Sequence, residues 1–206
     1  VRSRINWMLK SYVSRRQADA IVTISDYARE EILQFFKLPA DKVFIVDLAS
    51  DPIFRKVGSP KIDSHITQDG EIGTGRLTTY LGGFGPHKNV EMLIRVFAQL
   101  AARPEFQDLI LLLVGENQKE IYYSEIEKIR SEITRLGIVD RVKFTGFLPD
   151  EAIVQLLNLS TVLVLPSFME GFGLPAFEAA ACGCPVIATT ESPLPGLLGE
   201  GALYVS

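Results

Sequence analysis

Two acidic side chains, Glu170 and Glu178, stand in a stretch that is otherwise almost entirely apolar or glycine: Pro166-Ser167-Phe168-Met169-Glu170-Gly171-Phe172-Gly173-Leu174-Pro175-Ala176-Phe177-Glu178. Proline is tolerated in a helix only in the first turn, where its missing N–H is not needed. Pro175 therefore marks a helix start and leaves the amides of Phe172, Gly173 and Leu174 at its mouth without intrahelical acceptors. Such a mouth attracts anions. Carboxylates accept hydrogen bonds from paired hydroxyls. One acid before the mouth and one a turn inside suit a ligand with a sugar at each end of a phosphate group. Singly, Glu178 would read as a solvated helix residue and Glu170 as a loop carboxylate; their joint placement favours a site.

A second loop, Gly82-Gly83-Phe84-Gly85-Pro86-His87-Lys88-Asn89, lies between an apolar run and a helical pattern. Glycines let backbone amides approach an anion, Lys88 adds a full positive charge, and Asn89 is placed to cap the helix. Phosphate binding competes evenly here with a plain strand-to-helix turn. His87 is a further candidate phosphate contact. A dinucleotide fingerprint is the rival reading, with Glu116 as its later acid, but Lys88 stands where the third glycine of G-x-G-x-x-G belongs. Gly70, Gly73 and Gly75 have the wrong order and no preceding strand. A third stretch, Phe144-Thr145-Gly146-Phe147-Leu148-Pro149-Asp150, offers apolar surface for an aromatic base, although by itself it reads as a turn into a capped helix.

The remaining reactive residue types carry less. Cys182 and Cys184 form one C-G-C, too few for a disulfide framework or a four-ligand zinc site, and with no activating base they read as core. His65 and His87 lack the Asp and Ser partners of a hydrolytic triad.

These loops need a scaffold, and the hydropathy pattern supplies one. Apolar runs at 77–81, 109–114, 142–144, 162–165, 186–188 and 203–205 read as strands buried on both faces. Between them, Leu93, Val96, Phe97 and Leu100, then Ile126, Ile129, Ile133 and Leu136, repeat at helical spacing, the second pattern stopped by Gly137. Alternating strand and helix predict an α/β fold with a doubly wound, mostly parallel Rossmann-like sheet, whose ligands sit outside the carboxyl ends of the strands. Residues 1–55 add a small α/β portion: strands at 20–24 and 42–46, and a helix from Ser25 or Asp26 to about Phe36. That portion is too small to close its own core. Residues 56–76, rich in Gly, Ser, Pro, Asp and Thr, read as a linker, and 77–206 as the main domain.

The first 16 residues carry Arg2, Arg4, Lys10, Arg15 and Arg16 with no acid, beside Trp7, Met8, Leu9 and Tyr12. A basic amphipathic helix follows, read first as packing on a neighbouring domain and alternatively as lying on an anionic membrane surface.

Length and composition bound the rest. At roughly 100 to 200 residues per domain, 206 residues hold one full domain plus a smaller portion. With 21 Lys+Arg against 25 Asp+Glu, the net charge of −4 argues against a nucleic-acid binder. No run reaches the roughly 18 apolar residues of a membrane span, and no signal peptide is evident. A reduced, cytoplasmic setting is expected. The start at Val1 suggests an excised piece of a longer chain.

Together these stretches resemble the carboxyl-terminal, nucleotide-sugar-binding domain of retaining GT-B-fold glycosyltransferases of group 1, or family 4. The resemblance runs from Leu77 to the end. It rests on Glu170 and Glu178 within P-S-x-x-E-G-F-G-L-P-x-x-E-A-x-A-x-G-C-P-V-I, on G-G-F-G-P-H-K-N, on L-L-V-G-E and on V-K-F-T-G-F-L-P-D-E. It implies that Glu178 holds the ribose hydroxyls, that Glu170 faces the donor sugar, and that Lys88 and the amides of Gly171, Phe172, Gly173 and Leu174 grip the diphosphate. Phe147 and Leu148 would lie over the base. Many members carry an arginine where Gly83 stands, so His87, another residue, or fewer phosphate contacts would answer for that role. The implied activity is retaining transfer of a hexose to an acceptor hydroxyl, with Lys88 and Glu170 as catalytic residues, no metal and no cofactor beyond the donor. Residues 1–55 would be the end of the acceptor-side domain, and the isolated piece would be inactive. Implied partners are a nucleotide-sugar donor and a glycan or glycolipid acceptor, as in polysaccharide biosynthesis, with peripheral contact at the inner face of a membrane. A noncatalytic nucleotide-binding module and a nicotinamide-dependent oxidoreductase are the alternatives.

Overall fold

The computed structural model describes residues 2–63, 66–68, 71–115 and 125–206, without the side chains of residues 2–5 and 7. The expectations for the side chains of Arg2, Arg4 and Trp7 and for His65, Gly70 and Glu116 lie outside the described residues. The chain divides into two compact units, Val1–Leu48 and Ala49–Ser206.

In the first unit, helix α1 (Arg2–Gln17) precedes strand β1 (Ile21–Thr23), helix α2 (Asp26–Phe36) and strand β2 (Val43–Ile45). The two strands pair in parallel. Ser25 caps α2 as its type predicts, its Oγ accepting from the Ala28 amide at 3.1 Å. Arg29 ties α2 to β2 through its Nε and the Val43 carbonyl, 3.0 Å apart. Among the described side chains of this unit Val43 is buried, while Met8, Leu9, Tyr12, Val13, Val22, Phe35, Phe44 and Val46 are exposed. Arg15 lies over the Tyr12 and Phe36 rings and donates to the Phe36 carbonyl, beside an open apolar groove of about 580 Å³ lined by Met8, Leu9, Tyr12 and Phe35.

The second unit is a six-stranded, wholly parallel sheet in the order β5-β4-β3-β6-β7-β8. Its strands are β3 (Arg76–Leu81), β4 (Leu109–Val114), β5 (Val142–Gly146), β6 (Ser160–Leu165), β7 (Val186–Thr189) and β8 (Leu203–Val205). All six residues of β4 are buried. Alternate ones serve opposite faces: Leu109, Leu111 and Leu113 pack with helices α3 (Val90–Ala101) and α4 (Ile126–Arg135), whereas Ile110, Leu112 and Val114 pack with α5 (Asp150–Leu159), α6 (Leu174–Cys182) and α7 (Leu194–Leu198). Each such side chain contributes roughly 1.5–3 kcal/mol on burial. The sheet is thus doubly wound, as the alternation of patterns predicts.

Three expectations need correction. Strand β8 is not buried on both faces: it is an edge, and Leu203 and Val205 are exposed. Val96 turns outward from α3, whose buried residues are Val90, Leu93, Ile94 and Phe97. The boundary at 55 and the linker over 56–76 also differ from the structure, which divides the chain between Leu48 and Ala49. Phe54 and Ile72 enter the main core, with Val57, Ile62 and Ile66 against it. The Val57 amide bonds Asn158 Oδ1 and the Lys61 amide bonds Gln155 Oε1, each at 2.9 Å, while the Gln68 amide reaches the Phe144 carbonyl at 2.7 Å. Isolated apolar anchors without periodicity hold this segment, so composition alone mistook it for a spacer.

Candidate functional site

Strands β3 and β6 are neighbours joined by a buried contact of Thr79 Oγ1 with Ser160 Oγ at 2.7 Å. Beyond them the chain leaves in opposite directions, from β3 into α3 on one face and from β6 into α6 on the other. A divergence of this kind at the carboxyl ends is the place where doubly wound sheets take ligands.

Close backbone contact shapes the loop after β3. The Gly82 amide donates to the Val114 carbonyl at 2.9 Å, and a Cβ on Gly115, at φ 153°, would sit 2.0 Å from the Gly82 carbonyl oxygen. Only glycine fits there. Buried Tyr80 donates its hydroxyl to the Gly83 carbonyl; burial first, then the charge of Glu170, push this hydroxyl above its usual value and keep it a donor. Pro86–Lys88 form a single 3₁₀ turn.

Asn89 is where the expected cap differs. It precedes α3 in the left-handed region, at φ 54°, and its side chain makes no cap bond. Its Nδ2 instead donates to the Pro166 carbonyl at 3.1 Å, and the Phe168 amide donates to the His87 carbonyl at 2.8 Å. Asn89 therefore stitches the β3 and β6 loops together.

The stitch brings Lys88 Nζ to within 2.7 Å of Glu170 Oε1, although 82 positions separate them in sequence. Ser167 Oγ donates to the same carboxylate oxygen at 2.7 Å. The Lys88 and Glu170 side chains are 21% and 12% exposed, so cation and anion meet largely away from solvent. Helix α6 opens beside them. Pro175 is in its first turn, Gly173 is its left-handed N-cap at φ 86°, and a Cβ there would meet Leu194 Cδ2 at 2.9 Å. Among the described residues none bonds the amides of Phe172, Gly173 or Leu174. The Phe172 ring is buried against Phe177, with centroids 4.9 Å apart, so Phe172 can offer a ligand only its backbone. Gly171 is exposed.

Glu178 lies inside α6, half-buried. Burial, and secondarily the charge of Asp150 at the start of α5, push its carboxyl above the usual range. Sequence reasoning did not pair Asp150 with Glu178, because only the packing of α5 on α6 brings them together. The base-side pair divides: Phe147 is 79% exposed and available, whereas Leu148 is 8% exposed and belongs to the core. His87 is exposed. Gly83 is exposed too, and an added Cβ there would meet nothing within 4 Å.

Cys182 and Cys184 are buried free thiols. Burial raises both, Cys184 to about 11, which agrees with a packing role. Residues not singled out from the sequence include Ser167, and Thr189, whose Oγ1 donates to the Ser167 carbonyl at 2.6 Å. Each is a hydroxyl residue at the end of an apolar strand, and Ser167 is also the serine of the P-S-x-x-E motif. Among the described residues no helix is long and apolar enough to cross a membrane.

The assembled site can hold an anion between a lysine and a helix mouth, and can accept hydrogen bonds from hydroxyls on either side. Residues 62–203 match the family described as glycosyl transferases group 1. O-antigen chain mannosyltransferase B of Escherichia coli is 32% identical over 206 residues, covering 98% of this chain and 51% of that protein. Mannosylfructose-phosphate synthase of Agrobacterium fabrum is 32% identical over 120 residues, 58% of this chain and 26% of that protein. The structure of Anabaena HepE in complex with UDP and glucose aligns with a TM-score of 0.78 at 25% identity, covering 98% of this chain and 53% of that one. Sucrose-phosphate synthase from Thermosynechococcus elongatus aligns with a TM-score of 0.72 at 28% identity, over 92% of this chain and 45% of that one. This chain spans about half the length of mannosyltransferase B. With the family match running from the segment before β3 into β8 and the parallel sheet matching GT-B relatives, the chain belongs to the group 1 glycosyl transferases.

Proposed function

We propose that this chain is the donor-binding part of an enzyme that transfers a hexose from a nucleoside-diphosphate sugar to an acceptor hydroxyl with retention. The observation that carries the reading is the contact of Lys88 Nζ with Glu170 Oε1 beside the mouth of α6 at the sheet's switch point. Here Lys88 and the α6 amides take the diphosphate, Glu178 accepts from the ribose hydroxyls, Glu170 faces the sugar and exposed Phe147 covers the base. The resemblance to HepE, a protein solved with UDP and glucose, supports a diphosphate ligand, and the resemblance to mannosyltransferase B supports a hexose.

As the bond from sugar to diphosphate breaks, positive charge develops on the sugar ring and negative charge on the leaving phosphate. Lys88 and the amides, already aimed at that charge, lower its energy without reorganisation. These groups supply the stabilisation themselves, and the reading assigns no metal. Residues 1–48 belong to the acceptor side, where the rest of a longer enzyme would hold a glycan or glycolipid. Alone, the present chain binds nucleotide with little or no turnover. Calorimetric titration with UDP, GDP, ADP and NAD tests this: one diphosphate binds and NAD does not. Tight binding of NAD with none of the diphosphates would overturn it. In a longer enzyme, sugar release on titration with acceptor separates transferase from binding module.

A further inference from the structure

Ser167 follows β6 and is 1% exposed. Its hydroxyl and Lys88 Nζ each stand 2.7 Å from one and the same oxygen, Glu170 Oε1. An ionised carboxylate only accepts, so the serine donates. No described group bonds Glu170 Oε2, which keeps its full accepting capacity for a ligand hydroxyl.

The Ser167 main chain is pinned as well. Thr189 Oγ1 donates to its carbonyl, and Ser192 Oγ donates to the Thr189 carbonyl at 2.9 Å. Thr189 and Ser192 are 7% and 6% exposed, so water competes little for these bonds. The chain from Ser192 through Thr189 to Ser167 runs from the loop after β7 to the loop after β6.

Lys88 faces two acceptors in turn: Glu170 in the free chain, and the diphosphate once a donor is bound. Its ammonium is a point charge on a flexible stem and can make that exchange. When it does, Glu170 loses its cation, and a mostly buried carboxylate left without a donor is costly. Ser167 cannot follow the phosphate, because its backbone is held from β7.

We propose that Ser167 is a positioning residue: it holds Glu170 in the orientation that meets the donor sugar while Lys88 passes from carboxylate to diphosphate. The inference rests on the donor-site reading given above. Thr189 acts through Ser167 by fixing its carbonyl.

The test measures, by calorimetry on this chain, UDP, GDP and ADP alone and as UDP-glucose, GDP-mannose and ADP-glucose. For the diphosphate that binds, the readout is the ratio of nucleotide-sugar affinity to diphosphate affinity. Ser167→Ala is expected to leave the diphosphate within about twofold and to lower that ratio about tenfold. Ser167→Cys, which keeps the size and weakens the donor, should fall between. In a Glu170→Gln background the serine change should cost nothing further, because both act through one carboxylate. An equal loss for diphosphate and nucleotide sugar, an unchanged ratio, or an undiminished effect in the Glu170→Gln background overturns the proposal. Failure of the unmodified chain to bind any of these probes removes the donor-site reading itself and this inference with it.

Discussion

Two sets of charges on the main unit are built in opposite ways. On the α3–α4 surface, Glu132 accepts from Arg95 Nε at 2.9 Å and from Arg135 Nε and Nη2 at 2.7 and 2.6 Å, while Arg95 and Lys128 also bond Glu91. Glu91, Glu125 and Glu132 there each have a cation. The hydrogen bonds from Arg135 and Arg95 hold Glu132 down at about 2. At the carboxyl end of the sheet the matching is incomplete. Glu170 has a single lysine, and among the described residues no cation pairs with Glu178, whose carboxyl is pushed up rather than down. The charges that hold α3 and α4 together are matched within the protein; those at the proposed donor site keep capacity to spare, at some cost in stability.

The contrast is most exposed to disproof at Lys88. Lys88→Ala should weaken nucleoside-diphosphate binding about a hundredfold, since a charge-assisted contact is worth about 1.5–3 kcal/mol, while thermal stability falls by less, because Ser167 still donates to Glu170. Comparable losses in binding and in stability would mean that the lysine is structural.

Glu178→Gln comes next, with an expected loss in nucleotide affinity of about tenfold and a gain in stability of the free chain at neutral pH. The sign follows from a raised carboxyl: the folded state holds the proton more tightly than the unfolded state, so ionisation at higher pH works against folding. Affinity in the unmodified chain should therefore fall as pH drops through the raised value, above the ordinary 4.5, and the glutamine variant should lose that dependence. Isothermal titration across pH reads both.

Glu132→Gln should do the reverse. Its carboxyl is depressed from 4.5 to about 2, so its contribution is fully present above the unfolded value and disappears as pH falls through that window. The variant is less stable at neutral pH, loses acid sensitivity between those values, and binds nucleotide as before. A change in binding would erase the distinction between the two charge sets.

The smallest effect belongs to Gly83. Nothing within 4 Å opposes a Cβ, so Gly83→Ala should change stability by less than about 0.5 kcal/mol and binding by no more than about twofold. Gly83→Arg, placing a cation on the exposed turn that carries Lys88, should tighten diphosphate binding in a salt-sensitive manner.

The pattern of legible and hidden features follows the range of the interactions. Strand β4 could be read from Leu109 to Val114 without error because burial on both faces writes a continuous apolar run. The start of α6 could be read from Pro175, a local steric rule. Asn89 could not, because its type suits a cap equally well as a bond to a carbonyl 77 positions away. Phe147 and Leu148 are adjacent and both apolar, and only tertiary packing decides that Leu148 is core and Phe147 is available.

What this sequence determined by itself was the succession of strands and helices, the helix mouth between two acids, and the family those motifs resemble, since each depends on neighbours within about a turn or a strand. Tertiary structure alone decided that Lys88 meets Glu170, that Ser167 shares the same oxygen, that Phe54 and Ile72 enter the main core and that Glu178 stays half-buried with no cation among the described residues. The reason is the strand order: placing β3 beside β6 closes 82 residues of chain into one contact, and no local pattern encodes which strands will be neighbours.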